Sequence, residues 1–408
     1  MAKKKEFDVI IWGATGFTGR LVAEYYLAHY GVDGDLKWAM GGRSQSKLEA
    51  VRKELGDPNV PLVVADSHDK ASLDAMAART KVICTTVGPY ALYGDELVAA
   101  CVENGTDYCD LAGETQWIRR MIDTHHEAAQ ESGARIVHCC GFDSIPSDMG
   151  TFFIQQEAKE RHGEYCQKVK MLLKTAKGGF SGGTYASMSN VMAEAEKDPS
   201  IYKVLFNPYG LNPKGEMQGP DKEDLKSVKF ESDVDAWIMP FIMAAINTRV
   251  VRRSNALRSY VYGEDFSYEE AMISGKGLTG RLKGYVGLAG LAAIMAGKPD
   301  SLYKKLLNKF FPEPGEGPSR EEREAGFYNF SVVGKFKNGE TIMARVTGDR
   351  DPGYGSTSKM LGESAVCLAK DKRRLPKVTG VLTPSTAMGN ALLERLQANA
   401  GLSFSIIK

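Results

Sequence analysis

The sequence predicts an α/β protein: an N-terminal doubly wound parallel sheet, then a second α+β domain containing antiparallel sheet. Three observations predict it. Short apolar runs alternate with amphipathic helical patterns up to about residue 150, the rhythm of βα units with helices on both faces of a sheet. A glycine-rich turn joins the first run to the first helix. Beyond Pro146 the rhythm changes, and two alternating runs joined by Asn338-Gly339 signal a hairpin. A length of 408 residues exceeds one ordinary core. Two domains are expected, 1–150 and 151–384, with a helix within 385–408 packing back on the first.

The elements follow in order. Asp8–Trp12 is an apolar strand, and Thr18–His29 a helix with Leu21, Val22, Tyr25 and Ala28 on one face. Strand Leu36–Met40 precedes a helix over Lys47–Leu55, opened by a capping box of Ser46 with Glu49. Strand Pro61–Ala65, helix Ala71–Arg79, strand Val82–Val87, helix Asp95–Asn104 and strand Tyr108–Leu111 continue the alternation. Helix Gln116–Ser132 and strand Arg135–His138 close it. In the second domain Val169–Thr175 is a strand and Tyr185–Glu196 a helix. Residues 198–225 form a polar loop, Phe327–Lys337 and Glu340–Thr347 the hairpin, and Pro312–Arg323 a linker. Helices over Thr357–Lys370 and Ala387–Asn399 end the chain.

Composition excludes several classes. The formal net charge is +1 with 25% charged residues, without the basic stripe of a nucleic-acid binder. Lys3-Lys4-Lys5 runs into Glu6, Phe7 and Asp8 rather than an apolar segment, so no secretory signal is expected and a cytoplasmic location is. The seven cysteines show no Cys-x-x-Cys pair and no zinc spacing, which points to reduced thiols and no metal. Cys139 and Cys140 are neighbours on a strand, with side chains on opposite faces. The longest apolar stretch, Tyr285–Gly297, is shorter than the roughly 20 residues that cross a bilayer. It is expected as a buried helix; the alternative is a surface that meets lipid, a peripheral membrane contact, or an apolar substrate.

The turn after the first strand reads Gly13-Ala-Thr15-Gly16-Phe17-Thr18-Gly19. Glycines so spaced let the backbone turn, approach a pyrophosphate and pack a helix on the sheet, with phosphate at the helix N-terminus. This predicts a dinucleotide-binding Rossmann domain. The second strand is followed by Gly41-Gly42-Arg43-Ser44 in place of the acid that holds a ribose 2′-hydroxyl. The Arg43 fork suits a 2′-phosphate and Ser44 adds a hydroxyl, so NADP(H) is the expected cofactor. Asp66, past the third strand, is an adenine-side candidate.

The remaining candidates lie at strand ends, where ligands bind in open α/β sheets. Val87, Gly88 and Pro89 would line the nicotinamide ribose, with Tyr90 and Tyr93 beside them. The next loops read Asp110-Leu-Ala-Gly-Glu114 and Gly141-Phe-Asp143-Ser144-Ile-Pro-Ser147-Asp148. Capping or turn formation is the competing role for their polar residues. Tyr90, Tyr93, Thr184 and Tyr185 are candidate proton or hydrogen-bond donors. Asp143 is a candidate acid or base if its site raises the pKa. The catalytic candidates are Tyr90, Asp143 and Tyr185. His138 is expected to be a satisfied core histidine. Arg249, Arg252, Arg253 and Arg258 are expected to form a solvated basic face.

Together, Gly13–Gly19, Gly41-Gly42-Arg43, Val87-Gly-Pro-Tyr90 and Gly141–Asp148 resemble the saccharopine dehydrogenase-like oxidoreductases, and within them the trans-acting enoyl reductases. Ser181-Gly-Gly-Thr184, Gly353-Tyr354 and Val381-Leu-Thr-Pro384…Met388-Gly389 extend the resemblance over most of the chain. It implies NADPH-dependent reduction of a carbon–carbon double bond on an apolar acyl or lipid-like chain carried by a synthase. The animal relatives so implied associate with lipid droplets and membranes. Two alternatives stay open: a saccharopine-type amino-acid dehydrogenase, which calls for arginines converging in the cleft, and a non-catalytic NADP-binding protein at a membrane. A second domain of this kind also commonly carries homodimer contacts.

Overall fold

A computed structural model describes residues 5–56, 59–178, 182–295 and 317–408. The first part alternates strand and helix: β1 (Phe7–Trp12), α1 (Phe17–Tyr30), β2 (Trp38–Gly42), α2 (Gln45–Leu55), β3 (Leu62–Val64), α3 (Lys70–Arg79), β4 (Thr80–Thr85), α4 (Tyr90–Tyr93), α5 (Asp95–Glu103), β5 (Asp107–Cys109), α6 (Thr115–Ser132) and β6 (Arg135–Val137). Then come α7 (Ile145–His162), β7 (Lys168–Lys177), α8 (Gly182–Lys197), α9 (Ile201–Phe206), β8 (Lys229–Glu231), β9 (Ala236–Pro240), α10 (Ala244–Leu257), β10 (Ser267–Gly275) and α11 (Gly277–Met295). The chain ends with α12 (Arg320–Glu324), β11 (Phe327–Lys335), β12 (Thr341–Gly348), a π-turn at Pro352–Ser356, α13 (Thr357–Lys370), β13 (Gly380–Leu382), α14 (Pro384–Ala398) and β14 (Leu402–Ile406).

The first sheet has seven strands in the order β13-β6-β5-β4-β1-β2-β3, and its pairings are parallel. All six residues of β1 are buried, as a central strand covered on both faces requires. The order reverses beside β1, so the cleft for a ligand opens between the C-terminal ends of β1 and β4. The second sheet is mixed, in the order β14-β12-β11-β7-β10-β9-β8. Helix α7 links the two: it starts at the end of β6 and packs on β7, β11, β12 and β14.

Several elements differ from expectation. Helices α7 and α10 are absent from the sequence reading. Pro146 suggested a break, but it lies in the first turn of α7, where its missing N–H costs nothing. The C-terminal helix stops at Ala398, and Leu402–Ile406 pairs with β12 in the second sheet. Two segments assigned to the second domain serve the first sheet instead. Helix α13 packs on α1, β1, β4 and β5, and β13 extends the edge beside β6. The polar loop over 198–225 contains α9. The hairpin loop is Phe336–Glu340, closed by Phe336 N donating to Glu340 O at 2.9 Å. The cap of α2 is Ser44, whose hydroxyl accepts from Lys47 N, so the Ser46–Glu49 box does not form.

Helix α11 is the largest departure. Its described part does not enter a core: Leu278 is 81% exposed, Leu282 65%, Tyr285 47% and Val286 66%. Among the described residues no helix is long and apolar enough to cross a membrane. All seven cysteines are free and buried.

Candidate functional site

The glycine turn has the geometry of a phosphate cradle. Gly13 sits at φ +92°, where a side chain is strained. A Cβ there would lie 2.7 Å from Val87 Cγ2 and 2.9 Å from Thr86 Oγ1. A Cβ on Gly19 would lie 2.2 Å from Gly13 O, so this glycine lets α1 close on the strand end. Gly16 is the N-cap of α1 and supplies no side-chain cap. Gly16 thus offers no side-chain acceptor to the first-turn N–H groups, which leaves that helix end suited to an anion. Thr15 and Thr18 are half-buried beside them. The Phe17 ring meets the Tyr354 ring edge-on at 4.8 Å, with the Arg323 guanidinium 5.5 Å from its centre. Residues of the second domain thus cover the turn.

Beyond β2, Arg43 is exposed and has no hydrogen bond or ion pair among the described residues. Ser44 caps α2, 3.1 Å from the Ser46 hydroxyl. Asp66 is exposed, and its Oδ1 accepts from His68 N at 2.9 Å in a local turn. The three lie at the ends of β2 and β3, on the side where a nucleotide extends away from its phosphates.

On the other side of the cleft, the segment after β4 is held from below by Glu114. This buried carboxylate accepts from Tyr90 N at 2.8 Å and Ala91 N at 2.9 Å. It also accepts from the Ser187 hydroxyl of α8 at 2.8 Å. Burial pushes its pKa above the ordinary value, while those donors favour the charged form. Val87, Gly88 and Pro89 are thereby presented to the cleft, with Gly88 exposed. Tyr90 itself is buried and stacks on Trp117 at 5.4 Å. Its hydroxyl donates to Thr85 O and accepts from Leu111 N, each at 3.3 Å. It braces two loops.

Asp110 joins the next two loops. Its Oδ1 accepts from Ala112 N and Cys139 N, and its Oδ2 accepts from the Tyr108 hydroxyl and faces His138 Nδ1 at 2.7 Å. His138 is buried as expected, but it is satisfied through this one nitrogen; Nε2 has no partner among the described residues. Asp143 lies over both loops. A Cβ on Gly141 would come 3.2 Å from its Oδ2, and one on Gly113 3.9 Å from its Oδ1. Burial, with the charge of Asp110 adding, pushes the Asp143 carboxyl up to about 7. Such a group can hold a proton at neutral pH and give it up.

Other candidates do not join this cluster. Ser144 donates to Asn247 Oδ1 at 3.0 Å and Ser147 to Glu270 Oε1 at 3.0 Å. Asp148 accepts from Ser254, Ser385 N and the Ser385 hydroxyl. These contacts lock α7 to α10, β10 and α14. The side chains of Thr184 and Tyr185 lie outside the described residues. Tyr93 is half-buried, its ring 5.8 Å from His68.

The expected basic face is overturned. Arg249, Arg252 and Arg253 lie within α10 and are buried. Arg249 pairs with Asp224 and donates to Leu205 O at 2.9 Å. Arg252 bonds Asp221, Pro208 O and Tyr268 O. Arg253 donates to Leu211 O at 2.5 Å and Val381 O at 2.7 Å. Arg258, half-buried, donates to Ser385 O at 2.7 Å. A guanidinium can be buried when its N–H groups find acceptors. Here they staple the 198–225 segment to the body, so Arg249, Arg252 and Arg253 are not free to meet a polycarboxylate. Sequence reasoning missed Glu114 and Asp110 as organisers, since their partners come from distant loops.

Comparison with known proteins identifies the family. The saccharopine dehydrogenase NADP-binding domain matches residues 9–137. A Mycobacterium tuberculosis protein named as a trans-acting enoyl reductase is 42% identical over 414 residues, covering 98% of each chain. The trans-acting enoyl reductase of Mycobacterium bovis is 40% identical over 413 residues, covering 96% of each. That of Mycobacterium ulcerans is 38% identical over 412 residues, again covering 96% of each. Apo saccharopine dehydrogenase (L-Glu forming) of Saccharomyces cerevisiae shares the fold, with TM-score 0.51 at 13% identity over 98% of this chain and 99% of that one. Likeness along the full length, with an NADP-binding domain at its start, shows that this chain belongs to the trans-acting enoyl reductase family.

Proposed function

We propose that the protein uses NADPH to reduce an enoyl-type carbon–carbon double bond on an apolar acyl chain presented by a synthase. The observation that carries the chemistry is Asp143, a carboxyl pushed up to about 7 at the strand ends. NADPH, when bound, supplies a hydride. Saturating the double bond also takes one proton, and Asp143 is the group poised to hold it for the α-carbon. The glycine turn and the first turn of α1 would seat the pyrophosphate, Arg43 and Ser44 the 2′-phosphate, and Asp66 the adenosine edge. Glu114 orients the Val87-Gly88-Pro89 segment toward the nicotinamide ribose. Tyr90 supports that segment through its backbone contacts rather than by giving a proton. The names of the full-length relatives support the substrate class. Burial of Arg249, Arg252 and Arg253 argues against the amino-acid dehydrogenase alternative.

The test is NADPH oxidation by the purified chain with an enoyl thioester, and separately with an amino acid plus a keto acid. The enoyl compound should gain two hydrogens. A proton donor acts in its protonated form, so kcat should fall as pH rises through about 7. Asp143→Asn should lower kcat roughly 100-fold and remove that limb, with NADPH affinity kept. Turnover with the amino acid and keto acid alone would overturn the reading.

A further inference from the structure

Helix α11 breaks a general rule. A helix that is apolar all round is normally buried in a core. The sequence Gly277–Met295 contains no acid, and its apolar side chains stand in solvent. Gly284 and Gly287 form the packed side: a Cβ on Gly284 would lie 2.8 Å from Val228 Cγ1, and one on Gly287 2.6 Å from Met239. Glycine here lets the helix lie close on β9 and β10. The opposite side carries Leu278, Leu282, Tyr285, Val286, Ala289 and Ala293. The spacing i, i+4, i+7, i+8, i+11, i+15 places them in one outward stripe.

The charges are arranged about that stripe. At 100° per residue, Arg281 falls on one flank and Lys283 on the other. Neither has an acidic partner among the described residues, whereas Lys276 is paired with Asp235 at 2.8 Å. The Arg281 guanidinium lies 5.1 Å from the Trp237 ring centre and 5.9 Å from that of Tyr285. Trp237 meets Phe230, itself 48% exposed, at 5.7 Å. An aromatic group thus borders the stripe beside an unpaired cation. An apolar stripe, cations on both flanks and aromatic rings at the margin are the pattern of a helix lying in a membrane interface.

We propose that α11, with Trp237 and Phe230, is a peripheral docking surface for an anionic lipid membrane. The stripe enters the headgroup–acyl boundary while Arg281 and Lys283 meet lipid phosphates. The charge arrangement selects this occupant over a second copy of the chain. The helix carries no acid, so a second copy packed through the same stripe would offer Arg281 and Lys283 no partner on the facing helix.

The test is flotation of the full chain with phosphatidylcholine vesicles and with vesicles also containing phosphatidylglycerol. The protein should float with the anionic vesicles only, and salt should release it. Leu282→Asp with Val286→Asp should reduce bound protein at least roughly tenfold. Arg281→Glu with Lys283→Glu should reduce it by a similar factor. These side chains are exposed or partly exposed, so the melting temperature and NADPH binding should be unchanged. Failure to float, equal flotation with neutral vesicles, or unaltered flotation of both variants would overturn the proposal. So would a solution dimer that the apolar variants dissociate and vesicles do not bind.

Discussion

Glu114 reaches the Ser187 hydroxyl at 2.8 Å while accepting Tyr90 N and Ala91 N. One carboxylate thereby couples the loop after β4 to helix α8 of the second domain. A second contact runs in parallel, from Gln116 Nε2 to Glu194 Oε2 at 3.0 Å. The position of Val87 and Gly88 at the cleft then depends on where α8 sits.

Glu114→Gln turns one acceptor oxygen into an NH2 group facing a donor. Losing a hydrogen bond to a charged acceptor costs roughly 1.5–3 kcal/mol. Part of that should appear as weaker NADPH binding, about tenfold, in a fluorescence titration, because the loop loses its anchor. A drop in melting temperature with unchanged NADPH affinity would make Glu114 a purely structural residue.

Arg43 has no hydrogen bond or ion pair among the described residues, so its removal leaves no unpaired group behind there. Arg43→Ala should raise the Kd for NADPH roughly 10–100-fold, the worth of charge-assisted bonds to a phosphate. NADH, lacking the 2′-phosphate, should be nearly unaffected. Equal losses for the two cofactors would remove Arg43 from the 2′-phosphate site.

Local chemistry made part of this molecule legible in its sequence. The Gly13–Gly19 turn is dictated by positive φ and close approach, which few residues tolerate, so it is visible without the fold. The hairpin at Asn338-Gly339 is equally local: Gly339 adopts φ +89° and Asn338 accepts from Glu340 N at 2.9 Å. What depended on tertiary partners was not legible. Arg253 in a polar-looking run gives no hint that carbonyls of Leu211 and Val381 await it. Glu114 finds Ser187 across 73 positions of chain. The exposure of helix α11 is not legible, because apolarity reports a tendency to burial and not what provides it.

Arg253 offers a check on the stapling role of α10. Its pKa is pulled down to about 9 by burial, the sign of a cation kept inside at a cost. Arg253→Met fits the space but leaves Leu211 O and Val381 O without donors. Two buried unpaired carbonyls predict a loss of roughly 2–4 kcal/mol in urea unfolding. Loss of less than about 0.5 kcal/mol would mean that water replaces the guanidinium there.

Glu270 should set part of the pH dependence of stability. It is buried, accepting from Asn247 Nδ2 at 2.9 Å, Ser147 at 3.0 Å and Tyr268 at 3.4 Å. Burial outweighs those bonds and pushes its carboxyl up from 4.5 to about 7. A folded pKa above the unfolded one means that the native state holds the proton more tightly. The resulting stabilisation is complete below about 4.5 and is lost as pH rises to about 7. Glutamine does not titrate, so Glu270→Gln should gain on the wild type across that window by up to roughly 3 kcal/mol. Asp143 and Asp107 are pushed up as well, to about 7 and about 6, but both proteins retain them and their slopes cancel in the difference. Urea unfolding of the pair between pH 5 and 8 measures this directly. Parallel stability curves would show that Glu270 stays ionised in the folded protein, its three donors outweighing its burial.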